Sequence, residues 1–161
     1  MDMMREFGTV AFASRLRRLS DRLKSEATQI YRANGIEFSD SWFLVALVLS
    51  ERDGISVSEA ADSLGYSHAA ISQMAATMER KGLVVGSPDE RDRRRTLLHL
   101  TDEGRSAIEA LRPIWDAVGE CTNELIASTG NDFLPAVAEI EDQLDQKNLF
   151  TRVTEYMKKE V

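Results

Sequence analysis

Four arginines lie within five residues of one short segment, which reads Asp89-Glu90-Arg91-Asp92-Arg93-Arg94-Arg95. Apolar stretches flank it, Leu83-Val84-Val85 before and Thr96-Leu97-Leu98-His99-Leu100 after. This pattern predicts two β-strands joined by a cationic loop. Guanidinium groups at a hairpin tip can clamp phosphates or enter a narrow minor groove, although a charge run can also be a solvated loop. The neighbouring segments decide between these interpretations.

Two acids alternate with the arginines of this loop, Asp89 and Asp92. Carboxylates without a partner would repel phosphate at such a site. We therefore expect at least one of them to orient an arginine through a salt bridge, so that Asp89 and Asp92 support the hairpin instead of binding DNA.

The segment from Val57 to Gly82 has the pattern of a helix-turn-helix unit. A short helix ends at Gly65, Ser67 can cap a second helix, and Gly82 stops it after about residue 81. The second helix of such units enters the major groove with its N-terminal residues at the base edges. The residues at that position here are small or polar: Ser67, His68, Ala69, Ser72 and Gln73.

Gln73 can pair bidentately with adenine, and Ser72 can reach either a phosphate or a base. An ordinary helical hairpin with a solvated polar face would explain the helix-turn-helix segment alone. The adjacent arginine loop favours DNA binding over that interpretation.

Amphipathic helices are predicted at both ends of the chain. The apolar residues Phe12, Leu16, Leu19, Leu23, Ala27 and Ile30 recur at helical spacing, and Asn34-Gly35 stops the stripe. Thr101 caps a long helix that Pro113 is expected to kink, and two shorter apolar stripes follow Gly130. These faces can be buried against a second copy of the chain, or folded back onto their own domain.

Composition limits the class of protein. The chain has 161 residues, a net charge of −7, 43% hydrophobic residues and one cysteine. No apolar run is long enough to span a bilayer, and the N-terminus lacks the pattern of a signal peptide. We therefore expect a folded cytoplasmic protein without membrane association. The acidic balance argues against general coating of nucleic acid but not against a local basic footprint.

The chain resembles the MarR family of winged helix-turn-helix transcriptional regulators. Three segments carry the resemblance: Glu79-Arg80-Lys81-Gly82-Leu83-Val84, then Asp89-Glu90-Arg91-Asp92-Arg93-Arg94, then Leu98-His99-Leu100-Thr101-Asp102-Glu103-Gly104. They match a helix ending in Lys-Gly-Leu, an Asp-x-Arg-Asp-x-Arg wing and a strand running into Leu-Thr-x-x-Gly. One departure is Gly86, where many members carry arginine; Arg95, an extra arginine beyond the motif, is a candidate compensation.

The resemblance implies a mainly α fold with a small β-hairpin wing. Residues 1–36 would form an N-terminal dimerisation helix, 37–100 the winged helix-turn-helix domain and 101–161 the C-terminal dimerisation helices. Within the middle domain, the recognition helix would span about 67–81 and the wing about 83–100. Arg94 would enter the minor groove, with Arg91, Arg93 and Arg95 beside it.

The implied function is a homodimeric, sequence-specific regulator on a palindromic operator, with repression as the family default. Family members often respond to small molecules, which implies a small aromatic or anionic effector here. The candidate pocket residues are Phe12, Arg15, Trp42, Phe43, Leu111 and Trp115, each of which could equally be plain core.

Other classes of function find less support. No metal motif, phosphate loop or nucleophile elbow is present, so we expect neither a cofactor nor catalysis. Cys121 lies between Glu120 and Glu124, acids that oppose thiolate formation, which disfavours redox sensing. A winged-helix protein-interaction adaptor without sequence-specific DNA binding is the remaining alternative, although it has no need for four arginines at a hairpin tip.

Overall fold

The computed structural model describes residues 2–52, 54–93 and 95–159. Its helices are α1 (Met3–Glu6), α2 (Phe12–Ala33), α3 (Phe43–Glu51), α4 (Val57–Leu64), α5 (His68–Arg80), α6 (Asp102–Ala127), α7 (Phe133–Gln146) and α8 (Leu149–Lys159). Its strands are β1 (Ile55–Ser56), β2 (Val84–Pro88) and β3 (Thr96–Leu100), and short 3₁₀ turns precede α2 and α3. The predicted fold class, mainly α with a β-hairpin wing, is confirmed.

The chain divides into two compact units, Met1–Asp116 and Ala117–Val161, with the boundary inside α6. The first unit contains the sheet and the helices up to the first half of α6. The second contains the rest of α6, then α7 and α8. The functional division into residues 1–36, 37–100 and 101–161 stays a prediction.

The sheet has three antiparallel strands in the order β1-β3-β2. The β2–β3 hairpin confirms the predicted pair of strands, with β2 continuing to Pro88, which pairs with Thr96. The short strand β1 pairs with β3 through Ile55 and Leu98. The sequence gives no signal for this strand, because two residues carry no periodicity that reveals a partner strand.

Local capping explains where the helix-turn-helix elements begin and end. Ser56 and Glu59 form a capping box at the start of α4, in which each side chain accepts from the other residue's backbone N–H. Gly65 ends α4 with φ +66°, a left-handed conformation that favours glycine. Ser67 caps α5, its hydroxyl accepting from the Ala70 amide at 3.2 Å. The predicted turn and second helix are thereby confirmed.

The core of the first unit lies beneath α5 and the sheet. The buried residues of α3 are Val45, Ala46 and Leu49. The buried side of α5 carries Ile71 and Met78. The opposite side of α5 is consequently the one that meets solvent.

The N-terminal stripe ends where the sequence predicts. Helix α2 stops at Ala33, and Gly35 follows with φ +71°. Its apolar residues Leu19 and Leu23 are 48% and 43% exposed. The helix therefore presents an apolar stripe that is only partly covered.

Helix α6 continues past Pro113 without ending, as predicted. In the second unit, Arg152 ties the beginning of α8 to the end of α7: its Nε donates to the Lys147 carbonyl and its Nη2 to the Gln143 carbonyl, both at 2.7 Å. Lys147 also pairs with Glu155. Among the described residues, no helix is both long and apolar enough to cross a bilayer.

Candidate nucleic-acid interface

The exposed side of α5 carries the residues that sequence assigned to the major groove. Ser67, His68, Ala69 and Gln73 are exposed, whereas Ser72 is half-buried. The Ser72 hydroxyl lies 3.4 Å from His68 Nδ1, one helical turn earlier. Small and amide-bearing side chains thus form a polar surface at the N-terminal end of α5, whose opposite side packs into the core.

The loop between β2 and β3 is closed by backbone hydrogen bonds. The Asp89 amide donates to the Arg95 carbonyl at 3.0 Å, and the Arg95 amide donates to the Asp92 carbonyl at 2.8 Å. Asp89 Oδ1 accepts from the Arg91 amide at 2.8 Å. Arg91 and Arg93 are exposed on this loop. Arg94, the predicted minor-groove arginine, lies outside the described residues.

Arg95 differs from the exposed Arg91 and Arg93 because its guanidinium turns back to the protein. Its Nη2 lies 2.9 Å from Glu59 Oε2 and donates to Ser56 Oγ at 2.8 Å. Its Nε lies 3.9 Å from Asp89 Oδ2. The arginine therefore connects the wing to the first residues of α4, with the loop acid Asp89 set against it.

The carboxylate of Glu59 is held ionised by this arrangement. Hydrogen bonds from the Ser56 backbone and side chain, and then from Arg95, lower the pKa of Glu59 from 4.5 to about 2. Oε2 alone accepts from the Ser56 amide at 3.0 Å and from the Ser56 hydroxyl at 2.7 Å. Glu59 is consequently a negative charge at neutral pH, facing a fixed arginine.

Four of the six predicted pocket residues belong to packed structure in the first unit. Phe43 and Trp115 meet edge to face with ring centroids 5.0 Å apart, and Leu111 is fully buried. The Trp115 indole donates to the Tyr31 hydroxyl at 3.2 Å, and the Trp42 indole donates to Thr77 Oγ1 at 3.0 Å. Phe12 and Arg15 lie exposed on α2 instead.

Comparison with known proteins shows which regulators the chain resembles. A MarR family model matches residues 35–95. The transcriptional regulator HosA of Escherichia coli is 32% identical over 78 residues, 48% of this chain and 58% of HosA. YwaE of Bacillus subtilis, an HTH-type transcriptional regulator, is 33% identical over 118 residues, 71% of this chain and 63% of YwaE. The solved structure of the transcriptional repressor CouR bound to a 23-mer DNA duplex superposes with a TM-score of 0.65 at 26% identity, covering 78% of this chain and 89% of CouR.

The chain is similar to the MarR family over residues 35–95, and the relatives described above are transcriptional regulators. The resemblance seen in the three sequence segments is thereby confirmed. The alignments span less than two thirds of the length of HosA and of YwaE.

The MarR motifs have a structural explanation in this chain. The Thr101 hydroxyl donates to the Gly82 carbonyl at 2.5 Å and accepts from the Gly104 amide at 3.0 Å, while the Thr101 amide donates to the Leu83 carbonyl at 3.1 Å. A Cβ at Gly104 would collide with that Leu83 carbonyl. The Leu-Thr-x-x-Gly segment thus locks the start of α6 onto the Lys-Gly-Leu turn at the end of α5.

Gly86, the departure from the MarR pattern, sits on β2. Its amide donates to Glu79 Oε1 at 3.3 Å, which connects β2 to the end of α5. A Cβ here would come within 2.9 Å of the Thr96 methyl group. A larger residue at this position would need Thr96 to move.

Sequence reasoning missed Ser56 and Glu59 as parts of the site. Their spacing, Ser-x-x-Glu, is a capping-box signature that could have indicated the start of α4. The ion pair with Arg95 had no sequence signal, because Glu59 and Arg95 are far apart in the chain and belong to no common periodicity.

Proposed function

We propose that this protein is a homodimeric, sequence-specific DNA-binding regulator of transcription, acting as a repressor on a palindromic operator. Helix α5 would read base edges in the major groove, and the β2–β3 wing would bind the adjacent minor groove and phosphates. Regulation of transcription, and not catalysis, is the function we propose, exerted in the cytoplasm where the chromosome is accessible. The observation that carries the proposal is the exposed polar face of α5 beside a wing on which Arg91 and Arg93 are exposed.

The charge distribution supports this proposal. The net charge is −7, yet arginines concentrate in α2 and in the wing. Acids dominate residues 101–149, with Arg105, Arg112 and Lys147 as the only bases. A cationic footprint on an otherwise acidic chain favours one defined DNA-binding surface over general coating of nucleic acid.

Exposed apolar helix surfaces support the homodimer. Besides the stripe on α2, helix α8 carries Phe150 at 80% and Met157 at 64% exposure. Soluble monomers rarely leave large contiguous apolar surfaces uncovered. A second copy of the chain would cover these helices and bring two recognition helices to one DNA duplex.

We further propose that a small aromatic or anionic effector releases the protein from DNA. Phe12 and Arg15 are the accessible members of the predicted pocket, and Arg15 could pair with a carboxylate. Trp42, Phe43 and Trp115 are occupied by packing, so they would line such a site only from one side. Salicylate is a suitable first probe, with loss of operator binding as the expected effect.

The decisive experiment is selection of bound DNA from a random duplex pool, read by sequencing. We expect an inverted repeat whose half-site centres are about 34 Å apart, one helical turn. Enrichment of a single unrepeated site would contradict the dimeric arrangement. If the pool yields no enriched sequence at moderate salt and the chain does not bind heparin, the adaptor alternative replaces DNA binding.

A further inference from the structure

We propose that Arg95 is a positioning residue that fixes the wing to the helix-turn-helix unit through Glu59, and not a phosphate-binding arginine. The inference rests on the proposed DNA-binding function and assigns a mechanical role within it. We call the set Ser56, Glu59, Asp89 and Arg95 the wing clasp. Its members come from two places: Ser56 and Glu59 from the β1–α4 junction, and Asp89 and Arg95 from the two ends of the wing loop.

The geometry directs the Arg95 guanidinium toward the protein, with 41% of the side chain still exposed to solvent. One nitrogen contacts both the Glu59 carboxylate at 2.9 Å and the Ser56 hydroxyl at 2.8 Å, and another lies 3.9 Å from Asp89. Arg91 and Arg93, by contrast, are exposed on the same loop. An arginine beside two carboxylates has its charge largely neutralised locally, so it attracts phosphate less than its exposed neighbours do.

The clasp joins segments that the backbone connects only weakly. Strand β1 contributes just two residues to the sheet, pairing at Ile55 and Ser56. Beyond Thr96 the wing loop has left the β2–β3 ladder. The Arg95 side chain crosses from the base of this loop to the first turn of α4, where Glu59 already holds Ser56 in the capping box. The orientation of the wing is thereby coupled to the helix that supports α5.

Because of the clasp, we expect removal of the Glu59 charge to weaken DNA binding, the opposite of the effect of removing an acid near phosphate. Removing an acid near DNA should by itself strengthen binding, because phosphate repulsion falls. Glu59→Gln should instead weaken it, because the wing loses its anchor. Glutamine at this position keeps the capping box, so the substitution removes the ion pair while retaining the helix cap.

The test measures the affinity of full-length variants for the duplex that the wild-type chain enriches from a random pool. The salt concentration is varied between about 50 and 200 mM, because affinity that depends on phosphate contacts falls steeply over this range. We expect Arg95→Gln and Glu59→Gln each to weaken binding by about tenfold. The double variant should bind with the same affinity as the single variant of lower affinity, because both substitutions remove one interaction. The slope of log affinity against log salt should stay as in the wild type.

Matched controls separate the clasp from simple charge effects. Arg93→Gln removes an exposed arginine from the same loop and should reduce the salt slope by about 0.9 per arginine removed. Asp62→Asn removes an exposed acid from the same helix as Glu59 and should leave binding unchanged or slightly stronger. Arg95→Lys keeps the charge and should restore part of the lost affinity.

Footprinting distinguishes a positioning role from general loss of structure. In Arg95→Gln, minor-groove protection by the wing should fall while major-groove protection by α5 persists. Equal loss of protection in both grooves, or unfolding of the variant at the temperature of the binding assay, would mean that the clasp contributes to stability and does not position the wing. Hydrogen exchange of the amides of residues 95–98 should accelerate in Glu59→Gln without DNA, and unchanged exchange would contradict the clasp.

Three further outcomes overturn the inference. If Arg95→Gln lowers the salt slope while Glu59→Gln strengthens binding, Arg95 contacts phosphate and exchanges partners on DNA. If neither variant changes affinity, the clasp has no role in binding even though the DNA-binding function stands. Failure of the wild-type chain to enrich any duplex overturns the proposed function and this inference together.

Discussion

Glu59 serves two structures with one carboxylate. Its Oε2 completes the capping box of α4 by accepting from Ser56, and the same oxygen faces the Arg95 guanidinium. Each hydrogen bond favours the ionised form, which is why the pKa of Glu59 falls to about 2. Protonation of this residue therefore loosens the start of α4 and the base of the wing at once.

The lowered pKa of Glu59 predicts a pH dependence of stability. Between about pH 4.5 and about pH 2, Glu59 is protonated in the unfolded chain but stays ionised in the folded chain. The stabilisation is thus complete above about pH 4.5 and is lost as the pH falls toward 2. The free energy of unfolding, measured with urea from neutral pH down to about pH 2, should converge between wild type and Glu59→Gln over that window. A difference that stays constant across the whole window would contradict the assignment.

Gln73 and Arg93 should fail in different ways when replaced by alanine. We expect Gln73→Ala to cost about 1–3 kcal/mol of discrimination at one base pair and little nonspecific affinity. Arg93→Ala should weaken binding to all sequences and reduce its salt dependence. Competition between the selected duplex and single base-pair variants measures both effects. Equal loss on matched and mismatched duplexes would make Gln73 a backbone contact.

At the scale of elements, the junction between α5 and α6 sets the geometry of the proposed DNA-binding unit. Thr101 ties the start of α6 to Gly82 and Leu83, the residues where α5 turns into β2. The close approach leaves no space for a side chain at Gly104. A glycine in the first turn of a helix, which usually costs stability, is here required by packing.

Replacing either of two glycines of α6 by alanine should change the stability of the protein in opposite directions. A methyl group at Gly119 would meet no other atom within 4 Å, so Gly119→Ala should stabilise the protein by up to about 1 kcal/mol through helix propensity. Gly104→Ala should destabilise it, because the Leu83 carbonyl must move, despite the same gain in propensity. Urea unfolding at one fixed protein concentration compares them. Stabilisation by both substitutions would mean that the α5–α6 junction yields without cost.

Much of the element order was predictable from the sequence because its signals are local. Gly65, Ser67 and Gly82 each define a helix end through a cap or a left-handed turn that neighbouring residues form. Strand β1 and the clasp between Glu59 and Arg95 were not predictable. Both depend on partners distant in the chain, which only the completed sheet brings together.

At the scale of the whole molecule, the exposed apolar helix faces are the surface we propose for dimerisation. On α8, Phe150 and Met157 are largely exposed, and α7 adds Phe133, Leu134, Ile140 and Leu144 to the uncovered apolar surface. Covering these side chains with a second copy would remove apolar area from water, the main driving force of association. The proposed binding of DNA through two half-sites requires that association.

Acids placed on this surface should therefore separate the dimer. Phe150→Asp combined with Met157→Asp puts two charges where the partner would pack, and we expect a monomer in sedimentation velocity. Both side chains are exposed, so the substitutions should leave the fold of each protomer intact. Lys158→Glu changes the net charge by the same amount at an exposed position of α8 and should remain dimeric. A dimeric double variant would place the interface elsewhere.

The outer edge of β2 also limits how the protein self-associates. Because a strand alternates, the backbone nitrogens of residues 84, 86 and 88 are directed to the same side of β2. The Gly86 amide donates to Glu79, and Pro88 has no amide proton. This edge therefore offers few donors to a strand from another molecule, which disfavours the edge-to-edge pairing that starts β-aggregation. A chain with so much uncovered apolar helix surface can thus associate through its helices without its sheet becoming a template for fibrils.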